Sequence, residues 1–177
     1  PYTVGTKSFR NWWGDSRGYT GYHNIREGII YSMNIIAVRC LMETVTPQLG
    51  VDYAERMGIS TLTKDDLNAA TALGGLTKGV TNLDITSAFA SIANGGVYTK
   101  PRFFNKILDH DGNVLIDNQP ETKQVLKDST AFLLTDAMSE SVKSNRLYAR
   151  SGVSINSTST AAALGNMSVA GKSGTTT

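Results

Sequence analysis

The chain is 177 residues long, 40% apolar and 18% charged, with a formal net charge of +2. That length suits about one domain with a real core, and so small a charge argues against a nucleic-acid groove. No apolar run approaches the ~18 residues of a membrane span and no signal peptide is visible.

The sequence opens on Pro1 rather than Met, so both ends are expected to be cut from a longer polypeptide. Residues 1–23, aromatic, Gly-rich and aperiodic, predict an ordered surface loop. A helix then starts with a capping box, Asn24 as N-cap and Glu27 at N3, followed by Ile25, Ile29 and Ile30 at helical spacing. After "YSMN" a second apolar set continues through Ile36, Ala37, Cys40, Leu41 and Val45. Thr46 and Pro47 start a further helix that ends at Gly58.

Residues 61–80 are turn-rich. Thr81 with Asp84 opens a helix stopped by Asn94-Gly95-Gly96. The period then changes, and residues 97–118 predict a β-hairpin turning near Asp111-Gly112. Asp128 is expected to cap a helix through about Val142, with Phe132, Leu133, Ala137 and Met138 inward. Residues 143–159 read as a long polar loop. A helical turn at "TAAAL" and a terminal strand, "MSVAGKSGTT", complete an α+β chain, a helical cluster with part of an antiparallel sheet.

No acidic residue follows Glu140, whereas Lys143, Arg146, Arg150 and Lys172 are basic. The C-terminal region suits an anionic ligand, with a solvated loop as the blander reading. The single cysteine, Cys40, excludes an internal disulfide and falls in an apolar helical pattern, as a buried structural thiol would. His23 and His110 are isolated, so no metal-ligand spacing and no Ser-His-Asp triad is visible. Asp109 and Asp111 resemble the opening of a calcium loop whose remainder is absent, and a hairpin turn fits them better.

"SVAGKSGTTT" raises the question of a phosphate-binding loop. That motif requires a glycine five positions before Gly171, where Asn166 stands, and a following helix. A nucleotide-binding protein therefore remains only a remote alternative. A cleft-lining strand fits better: Lys172 supplies charge, Ser173 and Thr175 supply hydroxyls, and Gly174 permits close backbone approach. Lys-Ser-Gly is a variant of K-T-G, the third motif of the S-x-x-K, S-x-N, K-T-G set. S-x-N occurs twice, at Ser32-Met33-Asn34 between two apolar helices and at Ser154-Ile155-Asn156 in a polar stretch. The first placement aims side chains from rigid elements; the second reads as solvated.

The stretches "NIREGIIYSMNIIAV", "ALGGLTKGVTNLDITSAFASIANGGVYTKP" and "VAGKSGTTT" resemble the transpeptidase domain of bifunctional (class A) penicillin-binding proteins. Ile36 stands where that family pattern has proline, and residues 143–157 find no ready counterpart. No S-x-x-K occurs; the nearest, Thr61 to Lys64, has the wrong nucleophile and follows the second motif.

The resemblance implies residues 1–177 as a partial transpeptidase domain, incomplete at both ends and inactive alone. The whole protein would be a serine-type D-Ala-D-Ala transpeptidase that cross-links peptidoglycan stem peptides and is inhibited by β-lactams. It would need no cofactor, no metal and no nucleic acid. Ser32 would relay protons, Asn34 would bond the donor amide and Lys172 would hold the relay's electrostatics. Ser173 and Thr175 hydroxyls would bind the terminal carboxylate, with Gly174 between them and the Thr175 N–H in the oxyanion hole. The partners implied are the upstream nucleophile segment, a glycosyltransferase domain and downstream strands, at the extracytoplasmic membrane face. A non-catalytic β-lactam sensor or scaffold is the alternative, separated from the enzyme by whether S-x-x-K precedes Pro1.

Overall fold

The computed structural model describes residues 1–14, 17–18, 20–149 and 152–175; Arg150, Thr176 and Thr177 from the readings above lie outside this set. The helical start signals act as their chemistry requires. Asn24 Oδ1 accepts from the Glu27 N–H at 2.9 Å and Glu27 Oε2 from the Asn24 N–H at 3.1 Å, opening α1 (Ile25–Ile30). After α2 (Asn34–Arg39) the helix widens into a π segment, Cys40–Val45, closed by the Thr46 N–H donating to the Leu41 carbonyl at 2.8 Å. The Thr46 hydroxyl caps α3 (Pro47–Arg56) and the Thr81 hydroxyl caps α4 (Asn82–Ala93). In α5 (Asp128–Val142) the N-cap is Lys127, so Asp128 lies inside the first turn, where its charge meets the positive end of the helix dipole.

Among the described residues, antiparallel pairing forms separate ribbons: β1 (Tyr2–Val4) with β2 (Lys7–Phe9), β3 (Val97–Thr99) with β6 (Thr122–Gln124), β4 (Lys106–Leu108) with β5 (Val114–Asp117), and β7 (Arg146–Tyr148) with β8 (Ser154–Asn156). The β4–β5 hairpin turns where expected. The Asp109 carboxylate accepts from the N–H groups of Asp111 and Asn113, and Gly112 takes φ +85°. The Asn113 side-chain amide, donating to Asp109 Oδ2 at 3.0 Å, and then the Asn113 N–H hold the Asp109 carboxyl below its ordinary pKa.

Several expectations need correction. Residues 1–23 are not simply a loop: Gly5, at φ +57°, turns β1 into β2, and Trp13 is buried. Residues 143–159 contain the β7–β8 hairpin, whose alternation sends Leu147 and the fully buried Ile155 inward while polar neighbours face out. The second S-x-N tripeptide is thus a strand wrapped around a core isoleucine, not a solvated loop. On α5 the buried stripe is Ala131, Ala137, Met138, Ser141 and Val142; Phe132 and Leu133 lie off that stripe, 68% and 62% exposed. Cys40 is only half-buried. Residues 168–175 join no ladder; their backbone is engaged by hydroxyls and by the end of α5 instead.

α1 and α4 both pack on α5. Trp13, Ile30, Tyr31, Met33 and Ile155 form one buried cluster, with Ile36 and Leu147 against it. This core sits under the turn 31–33, so hydrophobic burial from three distant parts of the chain fixes where that turn points.

Ile36 packs where α1 has no side chain. A Cβ on Gly28 would lie 2.6 Å from Ile36 Cγ2. Gly28→Ala is therefore expected to destabilise the domain by about 1–3 kcal/mol through overpacking, despite the roughly 1 kcal/mol that alanine gains in helix propensity. A denaturant midpoint unchanged or raised in the variant would refute this account of the α1–α2 crossing.

Candidate active site

The turn carrying Ser32 is a helix C-terminal motif with an unusual occupant. The Ser32 N–H donates to the Ile29 carbonyl at 3.3 Å and the Met33 N–H to the Gly28 carbonyl at 2.8 Å, the paired bonds of a Schellman ending. The residue at the left-handed position is ordinarily glycine; here it is Ser32, at φ +51°. A side chain there costs on the order of 1 kcal/mol. The cost is offset by the buried Tyr31 and Met33 on either side, which leave the hydroxyl pointing away from the core.

The Lys172 Nζ donates to Ser32 Oγ at 2.7 Å, across 140 positions of sequence. It also reaches the Ser173 carbonyl at 2.7 Å. The Lys172 side chain keeps open surface at the cleft mouth, yet the surrounding wall desolvates its ammonium and lowers its pKa below the ordinary lysine value.

Three hydroxyl side chains anchor the segment that carries Lys172. The Ser141 hydroxyl, at the end of α5, donates to the Gly171 carbonyl at 2.7 Å, and the Ser173 N–H donates to Ser159 Oγ at 3.2 Å. The Ser173 hydroxyl donates to Thr158 Oγ1 at 2.8 Å. The Thr158 and Ser159 N–H groups in turn bond the carbonyls of Ile30 and Ser141. The stretch "STST" thus ties α1, α5 and the lysine segment together. Sequence reading missed it because a run of hydroxyl residues after a polar stretch carries no periodic signal.

A cleft of about 740 Å³ brings together Ser32, Asn34, Lys172, Ser173, Gly174 and Thr175. All six sequence candidates therefore line one cavity, whereas Ser154 and Asn156 do not. Residues of α1 and α2 around the Ser32 turn form one side of the cavity, and further walls come from Trp12, Ala72, Leu73 and Thr158, none of these four singled out in the sequence. Asn34 Nδ2 donates to the Arg10 carbonyl at 3.0 Å. The histidines lie elsewhere: His23 packs between Thr20 and Glu27, and His110 is exposed beside Asp111.

Ala72 and Leu73 belong to a loop organised by one carboxylate. Asp66 is inaccessible to solvent and accepts four hydrogen bonds: Oδ2 from the N–H and hydroxyl of Thr63 at 2.7 and 3.0 Å, Oδ1 from those of Thr77 at 2.7 and 2.8 Å. The bonds from Thr77, then those from Thr63, hold its pKa down to about 2. The Thr63-x-x-Asp66 capping box was a readable signal; that Thr77 completes the shell was not.

The family model "Penicillin binding protein transpeptidase domain" matches residues 1–177. The chain belongs to this family. It is 34% identical over 158 residues to penicillin-binding protein 1A of Clostridium botulinum, covering 89% of this chain and 18% of that protein. It is 33% identical over 172 residues to penicillin-binding protein 1A/1B of Bacillus subtilis (strain 168), covering 96% of this chain and 17% of that protein. Among solved structures it resembles the PonA1 protein from Mycobacterium tuberculosis in complex with penicillin V, with a TM-score of 0.58 at 28% identity, over 65% of this chain and 33% of that one. The chain thus spans less than a fifth of the curated relatives' length. Among its described residues, no helix is long and apolar enough to cross a membrane.

Proposed function

We propose that this chain supplies the proton-relay and substrate-binding walls of a serine-type D-Ala-D-Ala transpeptidase that cross-links peptidoglycan stem peptides. The reading rests on one observation: the Lys172 ammonium sits 2.7 Å from Ser32 Oγ inside a cleft shared by both motifs. A hydroxyl bonded to a partly desolvated amine is a proton conduit, and such relays contribute about 10²–10⁴-fold in rate.

The nucleophilic serine of S-x-x-K comes from the polypeptide outside residues 1–177. Its oxygen attacks the peptide carbonyl and its proton enters the relay. The carbonyl oxygen takes the negative charge, toward the Thr175 N–H. Collapse breaks the C–N bond, and the departing D-alanine amine takes a proton from Ser32, which Lys172 replenishes. The acyl ester then passes to an acceptor amine of a second stem peptide. Asn34 bonds the donor's amide, and the terminal carboxylate beside Lys172 accepts from the Thr175 hydroxyl and from the Ser173 hydroxyl once its O–H turns away from Thr158 Oγ1, with Gly174 leaving room for the substrate backbone. A β-lactam follows the same first half, but its leaving nitrogen stays tethered in the ring, so the ester persists. This chemistry operates at the extracytoplasmic face of the membrane.

The test is adduct mapping. The full-length protein, incubated with a fluorescent penicillin and digested, is expected to carry the acyl group on the serine of an S-x-x-K segment preceding this chain. An adduct on any residue of 1–177 would overturn the assignment. Acylation without transfer to any stem-peptide amine would identify a β-lactam sensor instead.

A further inference from the structure

Ser173 is held on three sides, and one of the three bonds has to open when a carboxylate arrives. Its N–H donates to Ser159 Oγ at 3.2 Å and its carbonyl accepts from Lys172 Nζ at 2.7 Å, so the backbone is fixed. Its hydroxyl donates to Thr158 Oγ1 at 2.8 Å, and this O–H turns without moving the chain. Thr158 cannot follow it away. The Thr158 N–H donates to the Ile30 carbonyl, and the flanking N–H groups of buried Ser157 and Ser159 donate to the carbonyls of Asn145 at 3.0 Å and Ser141 at 3.1 Å. Thr158 and Ser173 both line the cleft. The third-motif position that Ser173 fills is ordinarily threonine, whose branched side chain is stiff at χ1. Without that branch, Ser173 Oγ would spread over three staggered wells if Thr158 did not hold it.

We propose that Thr158 is a positioning residue for the ligand's carboxylate, acting through Ser173 as one half of a reversible hydroxyl pair. This rests on the reading above, in which the Ser173 hydroxyl binds that carboxylate. At rest Ser173 donates and Thr158 accepts. When the carboxylate arrives, the Ser173 O–H turns to it and the Thr158 O–H turns to donate to Ser173 Oγ. The bond between the two hydroxyls survives with its direction reversed, because each carries one donor and two lone pairs. No proton leaves its oxygen. Two gains follow for an anionic ligand. Ser173 Oγ stays in one well, which avoids a dilution of about 3-fold among rotamers, and a hydroxyl that accepts one bond while donating another is the stronger donor. A ligand whose carboxylate is masked makes no charge-assisted bond there and gains less from the pair.

The experiment uses the full-length protein and two probes, benzylpenicillin and its uncharged methyl ester, and reads the ratio of their second-order acylation rates. Thr158→Val keeps the shape and the backbone bonds but has no hydroxyl. It is expected to lower the acid-to-ester ratio by about 3- to 10-fold, with the loss in the dissociation constant of the noncovalent complex rather than in the acylation step. Thr158→Ser, which keeps the hydroxyl, is expected to hold the ratio within about 2-fold of wild type. Both probes need Ser32 and Lys172, so the ester reports on folding and on the relay. Equal losses for both probes in Thr158→Val, leaving the ratio where it was, would mean that Thr158 is only structural and would overturn the proposal. A ratio lost as fully in Thr158→Ser as in Thr158→Val would overturn it too, because the methyl and not the hydroxyl would then matter. Wild-type protein that takes both probes at equal rates, or neither, would instead sink the reading of the site on which the proposal rests.

Discussion

Replacing Lys172 by alanine in the full-length protein is expected to lower the second-order rate of penicillin acylation by about three orders of magnitude, within the range of general acid–base catalysis. The reason is geometric. Lys172 Nζ donates to Ser32 Oγ at 2.7 Å, and burial of the ammonium brings its neutral form closer to working pH than for a free lysine. Removing the amine leaves the Ser32 hydroxyl without a source or sink for the proton. The better companion variant is Ser32→Gly rather than Ser32→Ala, because Ser32 takes φ +51° at a helix ending that glycine fills without strain. Ser32→Gly should keep or raise stability while costing about 10²–10³-fold in acylation. Because one relay is interrupted at two points, the double variant should fall within about 10-fold of the worse single one. Multiplying losses in the double variant would show that the two groups act independently, and undiminished acylation of K172A would refute the relay altogether.

Asp66→Asn is expected to lower the temperature at which the full-length protein loses penicillin-labelling competence by roughly 5–10 °C. The substitution keeps shape and removes an acceptor. Each Asp66 oxygen receives one backbone N–H and one hydroxyl, from Thr63 on one side and Thr77 on the other. Whichever way an asparagine is turned, its NH₂ faces a backbone N–H that cannot rotate away, at a site without access to water. The loop carrying Ala72 and Leu73 then loosens, and one cleft wall with it. The acid limb follows from the sign of the shift. The folded-state pKa is depressed from 3.8 to about 2, so the carboxylate's stabilisation is complete above the ordinary carboxylate range and is lost as pH falls toward 2. The gap between wild type and D66N should therefore be widest near neutrality and shrink below about pH 4. A labelling midpoint that does not move, or a gap that widens on acidification, would show that Asp66 does not organise the loop.

Most of the helical frame was readable because its signals are local. Asn24 with Glu27, Thr46 with Pro47, and Thr81 before Asp84 cap helices within three or four residues of themselves, and the Asp109–Gly112 turn likewise uses its own side chain. The six motif residues could be named as candidates for a related reason: S-x-N and K-S-G-T are short patterns whose chemistry depends on residue type.

Other features depended on partners far along the chain. Phe132 and Leu133 are bulky apolar residues of α5 on a different face from Met138, and only the packing of α1 and α4 decides which face is buried. Ile155 reads as one apolar residue in a polar stretch until Trp13, Ile30, Tyr31 and Met33 close around it.

By itself, the sequence determined the starts of α1, α3 and α4, the α+β character and the chemistry available to the site, since capping, periodicity and side-chain type are properties of neighbouring residues. Only the tertiary structure decided that Ser32 and Lys172 meet, that Trp12 and the Asp66 loop form walls around them, and that Ser154-Ile155-Asn156 is core scaffolding. Each of those outcomes follows from burial and hydrogen bonding between segments separated by tens of residues, and no local pattern encodes which distant surfaces will exclude water together.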